Sequence, residues 1–226
     1  MTEHPVINLQ HVDVYQQKNL VLSNVNLTIN RGEFVFLIGQ TGSGKTSLLK
    51  FIYADLPFTK GVGSVDGFNL DKLPETEIPY LRRKLGIIFQ DFQLLTDRTI
   101  EKNLEFVLKA TGWTQKDLIT ERIHDVLDKV GMRSKLKKMP HEISGGEQQR
   151  IVIARALLNQ PEIILADEPT GNLDPDTSEE IVLLLHKISQ SGTAVFIATH
   201  DYHIIRACPS RTIKCENGHL HNHAKI

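Results

Sequence analysis

Apolar positions along this chain follow two periods, and the period changes several times. In "VNLTI" the residues Val25, Leu27 and Ile29 alternate with polar neighbours, as on a strand with one buried face. "VINLQHVDVY" alternates less cleanly and ends, at Tyr15, in strand-favouring residues. After the turn "RGE", the run "FVFLIG" is continuously apolar, which suits a strand covered on both faces. "LGIIFQ", "EIILADE" and "TAVFIATH" repeat that pattern, each a short apolar run closed by polar residues.

Between these runs the spacing becomes helical, in "GKTSLLKFIY", "GGEQQRIVIARALLNQ" and "PDTSEEIVLLLHKIS". Strands alternating with helices predict a parallel α/β core, whose site lies at the carboxyl ends of the strands. That is where the polar residues fall. From about Thr99 to Pro140, "IEKNLEFVLKATG" and "KDLITERIHDVLDKVGM" show helical spacing with no strand between them. This predicts a helical lobe inserted into the core. No internal repeat or low-complexity segment is evident.

Two of the strand ends carry a recognisable chemistry. "GQTGSGKT" supplies Gly39, Gln40, Thr41, Gly42, Ser43, Gly44, Lys45 and Thr46, the full phosphate-loop pattern, between a strand and a helix. Its glycines let backbone N–H groups turn toward phosphate. Lys45 would reach the β- and γ-phosphates, and the Thr46 hydroxyl would ligate Mg²⁺. In "IILADE", Asp167 ends a buried strand, where a carboxylate is costly unless a cation such as Mg²⁺ holds it. Glu168 follows, and adjacent strand residues point to opposite sides. One carboxylate is therefore expected to serve the metal while the other polarises the attacking water.

His200 closes "TAVFIATH" on the same edge and is expected to touch the γ-phosphate. Gln90 closes "LGIIFQ", where a neutral amide could touch Mg²⁺ or the water and report on them to the next segment. Tyr15 could stack on adenine. In "ISGGEQQR", Ser144, Gly145, Gly146 and Glu147 stand directly before an apolar-periodic run. A helix start of that kind leaves N–H groups bare for an anion, although the chain already has a phosphate loop.

Composition narrows the class. The 226 residues are 40% hydrophobic, enough to bury a sizeable core. Lys+Arg is 26 against Asp+Glu 27, for a formal charge of -1, so no basic excess points to nucleic acid. The run "KLKK", Lys135 to Lys138, reads as a solvated face. The N-terminus shows no signal-peptide pattern, and the apolar runs are too short to span a bilayer. A chain of this kind working at a membrane would be held there by another chain. Cys208 and Cys215 with His219, His221 and His223 match no standard zinc spacing, so ordinary thiols and a frayed polar tail are expected.

"GQTGSGKT", "FQ", "ISGGEQQR", "IILADE", "NLD" and "ATH" together resemble the ABC-type ATPases in order and spacing, over essentially the whole chain. Ile143 stands where Leu is usual in that family. The resemblance implies one ABC ATPase domain over 1–226. Its phosphate-loop core, with an N-terminal antiparallel β subdomain, would take roughly 1–90 and 160–226. A helical subdomain with the signature would take roughly 91–159. It also implies a head-to-tail pair of chains on ATP binding, the chain pairing with a copy of itself or a homologue. Ser144, Gly145, Gly146 and Glu147 of one chain would then meet the γ-phosphate held by the other's phosphate loop, and Asp174 would lie on the crossing interface. Thr46, Gln90 and Asp167 would hold Mg²⁺.

The segment Ile78 to Leu104 resembles the bacterial cell-division branch of the family, which acts through an integral membrane partner at the cytoplasmic face. "DEPTGNLDP" is shared with the lipoprotein-release and MacB-type export branches, which stand as the alternative. Action on nucleic acid or ribosomes, and nucleotide binding without turnover, fit less well. DNA-repair members carry large insertions, translation factors carry two ATPase domains, and both Lys45 and Glu168 are present.

Overall fold

In a computed structural model, which describes residues 5–222, the chain forms two sheets with helices packed around them. The first four-stranded sheet is antiparallel, ordered β2-β1-β4-β5. It comprises β1 (Ile7–Gln16), β2 (Asn19–Ile29), β4 (Val62–Val65) and β5 (Phe68–Asn69). The second, six-stranded sheet is ordered β10-β9-β3-β8-β7-β6. Here β3 (Phe34–Ile38), β6 (Leu85–Ile88), β7 (Ile163–Asp167), β8 (Ala194–Thr199) and β9 (Arg211–Glu216) are parallel, and β10 (His219–Asn222) closes the edge antiparallel.

The continuous apolar runs have a direct cause. Along β3, Phe34, Phe36 and Ile38 face one core, while Val35 and Leu37 face another. β7 and β8 divide in the same way: Ile164, Ala166, Val195 and Ile197 go to the first core and Ile163, Leu165, Phe196 and Ala198 to the second. A sheet buried on both sides leaves no polar face to alternate with.

The second core lies between the two sheets and holds α1 (Lys45–Ile52). The first core joins the sheet's other face to the remaining long helices. These are α3 (Ile100–Ala110), α4 (Lys116–Lys129), α5 (Gly145–Leu157) and α6 (Pro175–Gln190). No strand interrupts Thr99 to Pro140, and α4 buries Ile119, Ile123, Val126 and Leu127 at helical spacing. Two short helices, α2 (Ile78–Arg83) and α7 (Tyr202–Ala207), complete the set.

The C-terminal segment corrects the expectation of a frayed tail. β9 runs parallel to β3 inside the main sheet, and His219 and His221 lie on β10, paired with β9. Edge strands are held by backbone bonds, so the polar side chains of "GHLHN" do not prevent pairing. His223 lies outside the described residues. Cys208 and Cys215 are buried free thiols.

Candidate functional site

The phosphate loop spans the gap between β3 and α1. Gly44 caps α1 with φ +107°, and a Cβ there would stand 2.9 Å from Val21 Cγ1. Both the dihedral and the space therefore require glycine. Lys45 is buried at the helix start. Its Nζ donates to the carbonyls of Gly39 at 2.8 Å and Gln40 at 3.3 Å, and it stands 3.7 Å from Glu168 Oε1.

A cleft of about 450 Å³ opens above this loop. Thr41, Gly42, Gly44, Lys45 and Thr46 form one wall, and Gln90, Asp167, Glu168 and His200 form the other. Three parallel strands deliver that second wall: β6 ends just before Gln90, β7 at Asp167, and β8 just before His200. The ends of adjacent parallel strands meet at one edge, so residues far apart in sequence share one cleft.

The electrostatics of the two acids differ. Burial raises the Asp167 carboxyl above its ordinary value; the Thr46 hydroxyl beside it pulls the other way. Its Oδ1 is buried with no hydrogen-bond partner among the described residues. A buried, unpartnered carboxylate oxygen on a residue beside a threonine hydroxyl, at the phosphate cradle, is a donor set that fits Mg²⁺. Glu168 does not follow the expected strand alternation. Its φ is +47°, so the backbone turns out of β7 at that residue and brings the second carboxylate into the same cleft as the first. Glu168 Oε1 lies 2.8 Å from His200 Nδ1, and its N–H is fixed by the Ala198 carbonyl at 2.8 Å.

Tyr15 sits at the end of β1, its Cα paired with that of Leu20. It does not line the cleft; Gln16 and Val21 do. Gly39, Gln40 and Ser43 do not line the cleft; Gly39 is buried, Gln40 is exposed, and the Cys215 thiol donates to the Ser43 carbonyl at 2.8 Å.

The signature residues stand outside this cleft. Ser144 caps α5 in a reciprocal arrangement: its Oγ accepts from Glu147 N at 3.2 Å, and Glu147 Oε2 accepts from Ser144 N at 2.9 Å. The amides of Gly145 and Gly146 begin the helix and have no intrahelical acceptor. A Cβ on Gly145 would lie 3.4 Å from Leu173 and 3.7 Å from Phe92, so the loops after Gln90 and before Asp174 flank this helix start. Asp174 caps α6 through Thr177 N at 3.0 Å, and that N–H holds its carboxyl below the ordinary range. The Asn172 amide donates to the Gln90 carbonyl at 3.2 Å, which ties this second surface to the cleft.

Two side chains at these surfaces carry no sequence signal. Arg155 on α5 donates to the carbonyls of Gln93 at 2.7 Å and Phe92 at 3.2 Å. Lys135, from the run read as a solvated face, pairs with Glu147 at 2.9 Å. Both contacts join segments distant in sequence, which no local pattern encodes.

The ABC transporter family model matches residues 22–171. The cell division ATP-binding protein FtsE of Streptococcus pneumoniae is 41% identical over 209 residues, covering 92% of this chain and 90% of that protein. FtsE of Escherichia coli strain K12 is 41% identical over 217 residues, covering 96% and 97%. Among solved structures, a dimeric post-hydrolysis state of the ATP-binding cassette MJ0796 bound to ADP and Pi is 33% identical. It has a TM-score of 0.81 and covers 97% of this chain and all of that one.

Proposed function

Since the chain belongs to the ABC transporter family of ATP-hydrolysing proteins, we propose that it drives a membrane complex in cell division. ATP binding would close two copies head to tail, and that motion would pass mechanically to an FtsX-like integral membrane partner. The observation that carries this reading is the split between two surfaces. Lys45, Asp167, Glu168 and His200 share one cleft, while the Ser144–Glu147 helix start lies outside it, with the Gly145 and Gly146 amides lacking an intrahelical acceptor. A γ-phosphate gripped by both needs a second chain.

Within the cleft, the phosphate-loop amides and Lys45 hold the β- and γ-phosphates. Thr46, Asp167 and Gln90 hold Mg²⁺, which when bound offsets phosphate charge and fixes the reacting geometry. Glu168 takes the proton of the attacking water, and His200 orients Glu168 and meets the γ-phosphate. Tyr15, next in sequence to the cleft-lining Gln16, would stack on the adenine. The whole chain acts as one ABC ATPase domain, with the helical region near 91–159 carrying the signature.

The link to the partner runs through Gln90. The loop after it is held by Arg155 of α5, so a change at the γ-phosphate reaches both the helical lobe and that loop. No helix among the described residues is long and apolar enough to cross a membrane. Placement at the cytoplasmic membrane face would therefore come from the partner.

Co-expression tests this. Alone, the chain should remain in the supernatant of sedimented membranes. With an FtsX-like protein it should sediment, and mild-detergent capture should recover the two together. Equal sedimentation with and without that protein would overturn the assignment of partner.

A further inference from the structure

Glu147 places a negative charge where the proposed pairing needs a positive one. Its carboxylate lies in the first turn of α5, the turn whose amides would receive another chain's γ-phosphate. An acid stabilises a helix start in isolation, but it repels a phosphate brought to that same start. Here both carboxylate oxygens are engaged. Oε2 accepts from the Ser144 backbone, and Oε1 lies 2.9 Å from Lys135 Nζ.

The loop that presents Lys135 is firmly held. The Leu136 and Lys138 carbonyls accept from Glu101 N at 2.9 Å and Ile100 N at 2.8 Å, which pins the loop to the start of α3. The neighbouring cations have their own acids: Arg133 with Asp128, Lys137 with Glu101, and Lys138 with Glu142. Lys135 is the one directed at the signature. Its ammonium is also the main cause that holds the Glu147 carboxyl below its ordinary value, so the acid is ionised and its charge must be balanced.

We infer that Lys135 is a positioning residue of the composite ATP site: it cancels the Glu147 charge so that the α5 start can accept the γ-phosphate held by a second chain. The inference rests on the head-to-tail reading above. A bridge that merely stabilised the loop would have a different signature, and charge swaps separate the two.

The test uses full-length Lys135→Met, Lys135→Arg and the double variant Lys135→Met/Glu147→Gln. Methionine keeps the apolar stem and removes the charge. Lys135→Met should raise the KM for ATP at least about five-fold, within the coupling found for close charge pairs across interfaces. Nucleotide affinity of the dilute monomer should not change. Lys135→Arg should stay within about two-fold of the parent because it keeps the charge, and the double variant should have a lower KM than Lys135→Met because it removes the charge that needs balancing. A Lys135→Met chain with parental KM would overturn the inference. So would a double variant as impaired as the single, because that marks a bridge needed for structure alone. Gly145→Asp serves as the control. If it blocks ATP-driven pairing while Lys135→Met has no effect, only this inference fails. If Gly145→Asp pairs and hydrolyses like the parent, the head-to-tail reading fails and takes the inference with it.

Discussion

Burial holds the Asp167 carboxyl above its ordinary range. The folded state therefore binds this proton more tightly than the unfolded chain does. The resulting stability is fully present below the unfolded value of 3.8 and is lost as pH rises through the folded value. At neutral pH the ionised group costs stability until a cation meets it. Asp167→Asn keeps the shape and removes that cost. Its melting temperature without Mg²⁺ at pH 7 should match or exceed the parent's, and the rise on adding Mg²⁺ and ATP should shrink. An undiminished rise would remove Asp167 from the metal site. Lys45→Ala should weaken nucleotide binding about ten-fold or more, because a hydrogen-bonded ion pair with phosphate is lost; calorimetry reads this directly. Residue types and spacing made Lys45, Thr46, Asp167 and His200 legible in sequence, since each closes a strand or opens a helix. The left-handed backbone at Glu168 was not legible. No glycine or asparagine marks it, and the bond that holds it, from the Glu168 N–H to the Ala198 carbonyl, comes from the neighbouring strand.

At the level of elements, α5 and α6 meet where the Thr177 methyl fills the space beside Gly146. A Cβ on Gly146 would stand 2.5 Å from Thr177 Cγ2, and the Thr177 backbone N–H is held by the Asp174 cap. Gly146→Ala should destabilise the chain by about 1–3 kcal/mol, the usual cost of overpacking. Adding Thr177→Ser removes the colliding methyl and should recover most of the loss in thermal unfolding. If the second change gives no recovery, the contact is not what makes Gly146 necessary. Strands β3, β7 and β8 were readable because burial on both faces leaves an unbroken apolar run. β9 and β10 were not, because Thr212, Ile213 and Cys215 turn inward among polar neighbours. The pairing of β10 is a backbone matter that its histidines do not announce. Helices α3 and α4 were readable from spacing alone, but the Lys135 contact with α5 depends on how the lobe folds back on the signature.

For the molecule as a whole, the account turns on two surfaces that are each incomplete. Lys45→Ala chains would keep a sound signature, and Gly145→Asp chains a sound phosphate loop. Neither alone should hydrolyse ATP. Mixed together, they build one dimer with one sound composite site and one carrying both defects. Nucleotide should then be trapped at one site per dimer, a stoichiometry that filtration of labelled ATP would report. Failure of the mixture to trap nucleotide beyond what each variant traps alone would contradict a site shared between chains.

The most direct measurement is the solution mass of Glu168→Gln chains by light scattering, with and without saturating ATP and Mg²⁺. Losing the base should slow hydrolysis at least about 10²-fold while leaving binding intact, so the closed state accumulates. The mass should double on adding ATP. It should stay that of one chain when Gly145→Asp is also present, although that chain still binds nucleotide. Glu168→Gln chains that remain single under saturating ATP, or Glu168→Gln/Gly145→Asp chains that pair as readily, would contradict the shared site.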